Sequence, residues 1–155
     1  MRNSREAQDP LPSLDAQVLV TFFFAGERPS QGACGMLDGY LGGLFGEMAR
    51  EGRVCGQLGE FVLAAGSSKL KAPWVLFAGA GARTEFFGQR CTGLVESVLE
   101  VCRRAALLRI CLVLEQGGNQ EAACVEALEA AQRAMPQATD FSIESIMPAT
   151  QEPNK

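Results

Sequence analysis

The sequence contains two stretches that are apolar almost without interruption, residues 16–24 (AQVLVTFFF) and residues 109–114 (RICLVL). β-Branched and aromatic residues favour strands, and a strand without polar alternation is typical of a sheet that is covered on both faces. The chain should therefore fold in layers, with helices packed on either side of a central sheet. We expect both strands to lie inside that sheet and neither to form an edge.

The elements around these strands indicate how the sheet is connected. A second strand, Glu60 to Ala65, is followed after only the short segment 66–72 by a third, Trp74 to Ala78. Because this connection has no room for a crossover helix, the two strands should pair antiparallel. The other expected elements are two helices capped by Thr84 and Asn119 and an edge strand from Asp140 to Met147. The order β-α-β-β-α-β-α-β predicts a three-layer α/β/α sandwich on a mixed, mainly parallel sheet.

A glycine-rich amphipathic helix should follow the first strand. Its apolar face is formed by Leu37, Tyr40, Leu41, Leu44 and Met48. Its interior also carries Gly39, Gly42, Gly43 and Gly46. Each interior glycine costs about 1 kcal/mol relative to alanine, so these four need a reason. Either the helix packs closely on another element, in which case Gly43→Leu would overfill the contact, or a ligand approaches the bare backbone.

The absence of histidine from the 155 residues excludes several kinds of active site. Ser-His-Asp and Cys-His nucleophile pairs both need an imidazole, as do the common Cys/His zinc sites. The six cysteines are scattered without a C-x-x-C pair, so no disulfide framework is expected. No short cluster of acids suggests a carboxylate metal site. We therefore expect no catalytic residue, no metal and no cofactor.

Charge and hydropathy also limit the partners and the location. The net charge of -4 gives no basic footprint for nucleic acid, and no apolar run approaches the roughly 20 residues that span a bilayer. The polar N-terminus does not resemble a signal peptide, which predicts a cytoplasmic protein. We expect a flexible arm at residues 1–14, a single α/β domain at 15–147 and a flexible tail at 148–155.

The order of these motifs over residues 15–114 resembles the N-terminal domain of the leucine aminopeptidase (cytosol aminopeptidase) family. The matching features are an aspartate with paired glycines in the first helix, Gly56-Gln57-Leu58-Gly59-Glu60 before the second strand, and Gly79-Ala80-Gly81 closing the third. In that family the metal ligands and catalytic residues belong to the C-terminal domain, whose signature Asn-Thr-Asp-Ala-Glu-Gly-Arg-Leu does not occur in this sequence. The resemblance therefore implies a fold and an ancestry, and no catalytic or metal-binding residue is carried over.

The same fold is similar to the macro domain, which binds ADP-ribose. The stretch Leu41 to Phe45 resembles the glycine-rich loop of that domain, and Gly79 to Ala82 offers a second group of backbone amides between a strand and a helix. The candidate ligand-binding residues are Gly42, Gly43, Leu44, Gly79, Gly81 and Ala82. Two departures count against binding: Thr84 replaces the last glycine of a G-x-G-x-x-G fingerprint, and Thr21 to Phe24 replaces the asparagines of the macro domain.

These observations support two hypotheses of different classes. The leading one is a non-catalytic relative of the aminopeptidase N-terminal domain that acts through protein–protein contact, by self-association or by docking on a full-length aminopeptidase. The alternative is a macro-like module that binds ADP-ribose or another phosphorylated ligand through the backbone amides of Gly42, Gly43, Gly81 and Ala82. The acidic balance of the chain favours the first.

Overall fold

The computed structural model describes residues 9–28, 30–115, 119–133 and 139–146. The strands are β1 (Val18–Phe24), β2 (Phe61–Ala65), β3 (Trp74–Gly81), β4 (Arg109–Glu115) and β5 (Asp140–Ile146). The helices are α1 (Gly32–Tyr40), α2 (Leu44–Arg50), α3 (Gly88–Arg104) and α4 (Asn119–Gln132), and short 3-10 helices span Leu11–Ser13 and Arg83–Glu85.

The five strands form one sheet in the order β2-β3-β1-β4-β5. β1 runs parallel to β3 and β4, and β4 runs parallel to β5. β2 pairs antiparallel with β3, because the connection between them is too short for a crossover. The predicted mixed, mainly parallel sheet is therefore confirmed, with β1 and β4 inside it and β5 at an edge.

Side chains from the two faces of the sheet form two separate cores, which makes the fold three-layered. Successive residues of a strand point to opposite faces, so β1 contributes Val20 and Phe22 to one core and Leu19 and Phe23 to the other. Helices α3 and α4 cover the first face, and α1, α2 and the 3-10 helix at Leu11–Ser13 cover the second. All seven residues of β1 are buried, as its unbroken apolar pattern predicts.

The glycine-rich helix differs from the prediction because it is two helices. Gly42 and Gly43 have φ values of 72° and 83°, the left-handed region that glycine adopts without steric cost, and they separate α1 from α2. A Cβ atom added at Gly39, Gly42 or Gly43 would meet nothing within 4 Å. The prediction that Gly43 lies in a tight packing contact is therefore wrong, since the position requires a backbone conformation and leaves space around it.

The start of the second long helix also differs from the prediction. Thr84 lies in the 3-10 helix, and α3 begins only at Gly88. Phe86 fills the core against Phe22 and Phe24, with ring centroids 5.2 and 5.3 Å apart. This buried ring draws the preceding residues out of the helix, so Thr84 is not its N-cap.

Part of the expected N-terminal arm packs on the domain. Leu11 is fully buried in the core that α1 and α2 cover. The backbone N–H of Lys71 donates to the Pro12 carbonyl oxygen at 3.0 Å, and the Tyr40 hydroxyl donates to the Asp9 carboxylate. Residues 9–14 are thus an ordered edge of the domain, whereas residues 1–8 and the expected tail at 148–155 lie outside the described residues.

Candidate functional site

The topology of the sheet indicates where a ligand would bind. In open α/β sheets, ligands occupy the crevice at the carboxyl ends of strands where the chain crosses to opposite faces. Here β1 leads to α1 on one face, whereas its neighbours β3 and β4 lead to α3 and α4 on the other. A ligand is therefore expected at the crevice at the carboxyl end of β1.

At this crevice, the N-terminus of α1 is already occupied by a carboxylate of the chain itself. The backbone N–H of Ala33, in the first turn of α1, donates to Oε2 of Glu115 at 3.0 Å. Glu115 ends β4, and a Cβ atom at Gly32 would lie only 1.9 Å from the same oxygen. A helix N-terminus is a natural anion site, and here Glu115 is the anion.

A second carboxylate fills the loop that crosses the ends of β1 and β3. Oε1 of Glu60 accepts the backbone N–H groups of Cys55, Gly56 and Gln57 at 3.0, 2.7 and 3.1 Å. The Gly56 carbonyl oxygen accepts the N–H of Gly81 at 2.8 Å. The Gly-x-x-Gly-Glu motif thus forms an anion-binding concavity of backbone amides that already holds its own glutamate.

Gly79 allows this loop to approach β3. A Cβ atom at Gly79 would lie 2.1 Å from the backbone oxygen of Gln57, closer than any real contact. The glycine was predicted as a ligand-binding residue, but its lack of a side chain is required by the crossing backbone.

A third carboxylate caps α2. The Asp38 side chain, buried in α1, accepts the N–H of Phe45 at 2.7 Å and the N–H of Gly46 at 2.9 Å. Both donors lie in the first turn of α2, where a capping acid satisfies free amides and interacts favourably with the helix dipole. The turn at Gly42 and Gly43 brings the start of α2 back to Asp38. We call these three arrangements, centred on Glu115, Glu60 and Asp38, the carboxylate-filled sites.

The six predicted site residues fall into two groups. Gly42, Gly43 and Leu44 lie at the junction of α1 and α2, and Gly79, Gly81 and Ala82 lie at the end of β3. The amide N–H groups of Gly42, Gly43 and Gly81 donate to backbone carbonyl oxygens at 3.3, 3.0 and 2.8 Å. Phosphate binding at these residues remains a prediction, and it would require these amides to exchange partners.

The structure adds cations that sequence reasoning missed at the first group. Gly42 and Gly43 line a shallow pocket of about 430 Å³ together with the side chains of Arg28 and Arg50. Asp38 and Glu47 line the same pocket, so two positive charges face two negative ones. No signal in the sequence places Arg28 beside Gly43, because α1 lies between them in the chain and only the tertiary structure brings them to one pocket.

Another arginine near the carboxyl end of β1 is engaged with a carboxylate. The Arg83 guanidinium makes a bidentate pair with Glu27, with N–O distances of 2.6 and 2.8 Å, and lies 4.1 Å from the centroid of the Phe24 ring. The hydrogen bonds that Arg83 donates to Glu27 raise the pKa of Arg83. This cation is therefore already paired with a carboxylate of the same chain.

At the edge strand β2, by contrast, several apolar side chains are partly exposed to solvent. Leu58, Leu63 and Trp74 are 47%, 41% and 37% exposed. Trp74 pairs with Ala65 and Leu63 with Leu76, so Leu63 and Trp74 are diagonal neighbours on the face that α3 covers only in part. Phe61 joins Leu58 along a groove of about 460 Å³ between β2 and α3. These four residues, Leu58, Phe61, Leu63 and Trp74, are called the β2 surface. This surface could not be predicted from the sequence, because FVLAA has the same apolar character as a buried strand.

The described residues contain no group of three His, Cys, Asp or Glu side chains that could hold a metal ion. In the same part of the chain, no helix is both long enough and apolar enough to cross a bilayer.

Comparison with solved structures defines the class of fold, which is that of a macrodomain. The macrodomain of Mycobacterium tuberculosis DarG matches with a TM-score of 0.61 and 12% identity, over 90% of this chain and 93% of that one. The macrodomain of Thermus aquaticus DarG matches with a TM-score of 0.59 and 12% identity, over 88% and 94%. Thermosipho africanus DarTG in complex with ADP-ribose matches with a TM-score of 0.58 and 8% identity, over 89% of this chain and 40% of that one.

The sequence itself assigns the family. Residues 20–140 match the model of the N-terminal domain of the cytosol aminopeptidase family, and the chain belongs to that family. No curated protein is significantly similar to it in sequence. The resemblance predicted from the order of the motifs is therefore confirmed, together with the macrodomain-like architecture.

Proposed function

We propose that this chain is a non-catalytic protein-association domain and that the β2 surface is its contact surface. The observation that carries the proposal is the exposure of Leu58, Leu63 and Trp74 beside an apolar groove. Contiguous apolar surface of this kind marks sites of protein contact, and tryptophan is enriched at their centres. The partner is a second copy of the chain or a full-length cytosol aminopeptidase, and the expected location is the cytoplasm.

The two edges of the sheet support this choice. β5, at one edge, carries Asp140 and Glu144, and charged residues protect an edge against pairing with other strands. β2, at the other edge, has the sequence FVLAA without charge or proline. A strand of a partner can pair with the outer side of β2 while its side chains cover Leu63 and Trp74.

The proposal that the domain is not an enzyme rests on the part of the family that it matches. The matching model is that of the N-terminal domain, and the carboxylates of Asp38, Glu60 and Glu115 are used to bind backbone amides. Purified protein should not release leucine from a leucyl substrate in the presence of manganese or zinc. Turnover at a rate normal for an aminopeptidase would contradict this.

Light scattering during size-exclusion chromatography tests the association. The protein alone, over a range of concentrations, should elute with a mass above the 16.6 kDa of the single chain. Mixed with a full-length cytosol aminopeptidase, it should elute together with that protein at a mass above 16.6 kDa. Leu63→Glu should abolish the association, because it buries a charge in the contact. Leu44→Glu is the matched control, since Leu44 is 48% exposed on α2 over the other face of the sheet. A single-chain mass in both experiments, or equal association of the two variants, would contradict the proposal.

ADP-ribose binding is the second candidate, and one observation favours it. Arg28 and Arg50 line the same pocket as Gly42 and Gly43, which supplies positive charge that the glycine loop lacks by itself. Calorimetry with ADP-ribose distinguishes the candidates, and we expect no binding because the carboxylate-filled sites hold the nearby amides. Saturable binding near micromolar that Gly42→Val removes would reverse that conclusion.

A further inference from the structure

A pair of cysteines lies in contact inside the core between α3 and α4. The Sγ atoms of Cys91 and Cys124 are 3.8 Å apart, and both residues are buried. Within the described residues this is the one contact between two cysteine sulfurs. Cys102, also on α3 and in the same core, offers a natural comparison.

The distance is short enough for a covalent bond after a small movement. A disulfide has its sulfurs about 2.05 Å apart, so the two sulfur atoms must approach by roughly 1.8 Å. Both cysteines are carried by helices, so the bond requires side-chain rotation together with an approach of α3 and α4. The two residues are far apart in sequence, so a bond between them would fasten α4 to the rest of the domain.

The hydrogen bond between the thiols gives them different roles. The hydrogen bond with Cys124 lowers the pKa of Cys91, and the same bond raises the pKa of Cys124. The thiolate is the nucleophile in thiol chemistry, which makes Cys91 the first group to react and Cys124 the partner that resolves it.

The described side chains of α4 contribute few residues to the core around the buried pair. Among the described side chains of α4, only Cys124, Ala127 and Leu128 are buried in the core. α3 buries six residues, Cys91, Leu94, Val95, Val98, Leu99 and Cys102. Elements with few buried apolar contacts open locally at lower free energy, so a molecule as small as hydrogen peroxide can reach the sulfurs when α4 opens.

We propose that Cys91 and Cys124 form a reversible disulfide bond, linking α3 to α4, when the protein meets hydrogen peroxide. The Cys91 thiolate attacks one peroxide oxygen, the O–O bond breaks, and the released hydroxide takes up a proton to become water. The resulting sulfenic acid of Cys91 is attacked by the Cys124 sulfur, so that the S–S bond forms, the S–O bond breaks and a second water leaves. The two thiols lose two electrons, the peroxide gains them, and a dithiol reductant reverses the bond.

Mass spectrometry of the full chain tests the bond. The protein, carrying Cys55→Ala to remove the exposed thiol, is treated with hydrogen peroxide, alkylated and digested. We expect a peptide pair that joins residues 91 and 124, and dithiothreitol should remove it. Sulfinic or sulfonic acid at Cys91 without the joined peptides, or peptides joined through other cysteines, would overturn the proposal.

A thermal melt supplies an independent measurement. Peroxide should raise the melting temperature by roughly 5–10 °C, because the bond restricts the unfolded chain. Cys124→Ala should lose this shift, whereas the control Cys102→Ala should keep it despite its own lower stability. Equal responses of the two variants would contradict the assignment, and the peptide map of the parent protein decides the matter if Cys124→Ala does not fold.

Discussion

The carboxylate-filled sites and the β2 surface differ in whether their interacting groups already have partners within the chain. At the former, backbone amides that could bind an external anion donate to Glu115, Glu60 and Asp38. At the latter, the apolar residues Leu63 and Trp74 remain 41% and 37% exposed. A region whose polar groups already have partners gains little from a ligand, whereas uncovered apolar surface gains from a partner.

The same hydrogen bonds and close contacts account for the glycine-rich segments of the sequence. The glycine-rich segments that attract attention in the sequence are used to bring backbone close to backbone and to aim amides at the chain's own acids. Fold similarity therefore does not determine function. Substitutions in the glycine-rich segments and at the internal carboxylates test whether these groups are needed for stability.

The largest effect is expected where added volume meets backbone. Gly79→Ala places a methyl group against the Gln57 oxygen and should destabilise the domain by about 3 kcal/mol. Gly93→Ala is the control, because a Cβ atom there meets nothing within 4 Å on α3 and alanine should stabilise the helix by about 0.5–1 kcal/mol. Urea unfolding measures both. Equal stability of the two variants would show that the loop over β3 can move away from the added methyl group without a cost in stability.

A smaller loss is expected at Asp38. Asp38→Ala removes the acceptor for the Phe45 and Gly46 amides and should cost about 2 kcal/mol. Asp38→Asn keeps one acceptor oxygen and should lose roughly half as much. If the two variants unfold at the same urea concentration as the parent protein, α2 does not depend on this cap.

Substitutions at Gly43 distinguish backbone strain from crowding. The left-handed conformation at φ 83° costs about 1–2 kcal/mol for any residue with a side chain. The space around a Cβ atom at Gly43 is open. Gly43→Ala and Gly43→Leu should therefore be destabilised to a similar degree in a denaturant melt. A much larger loss of stability for Gly43→Leu than for Gly43→Ala would support the tight packing contact that the sequence predicted.

The smallest change in stability is expected at Glu115. This substitution also tests directly whether an internal carboxylate excludes an external anion. Glu115→Gln keeps an acceptor for the Ala33 amide and removes the charge at the N-terminus of α1, which should cost about 0.3–1 kcal/mol. If the internal carboxylate is what excludes anions, ADP-ribose should bind this variant more tightly than the parent protein in calorimetry. Absence of binding to both would assign the exclusion to the arrangement of the backbone instead.

Much of the fold could be read from the sequence because burial leaves a direct record in it. The apolar runs at residues 16–24 and 109–114 identified the interior strands, and the short link 66–72 identified the antiparallel pair. The start of α3 could not be read in this way. It depends on Phe86 filling a space between Phe22 and Phe24, and that space exists only after the strand and helix have met.

The candidate site likewise has features that the sequence predicts and features that only the tertiary structure decides. The sequence alone determined that no histidine chemistry is available and that the interior glycines need a structural reason. It could not determine which groups fill the amide sites, because Glu115 and Ala33 are distant in the chain and meet only when β4 lies beside β1. Nor could it show that β2 lies at an edge, since exposure depends on which element covers a strand. Composition and local pattern are carried by each residue, whereas contact between distant residues is decided by the tertiary structure.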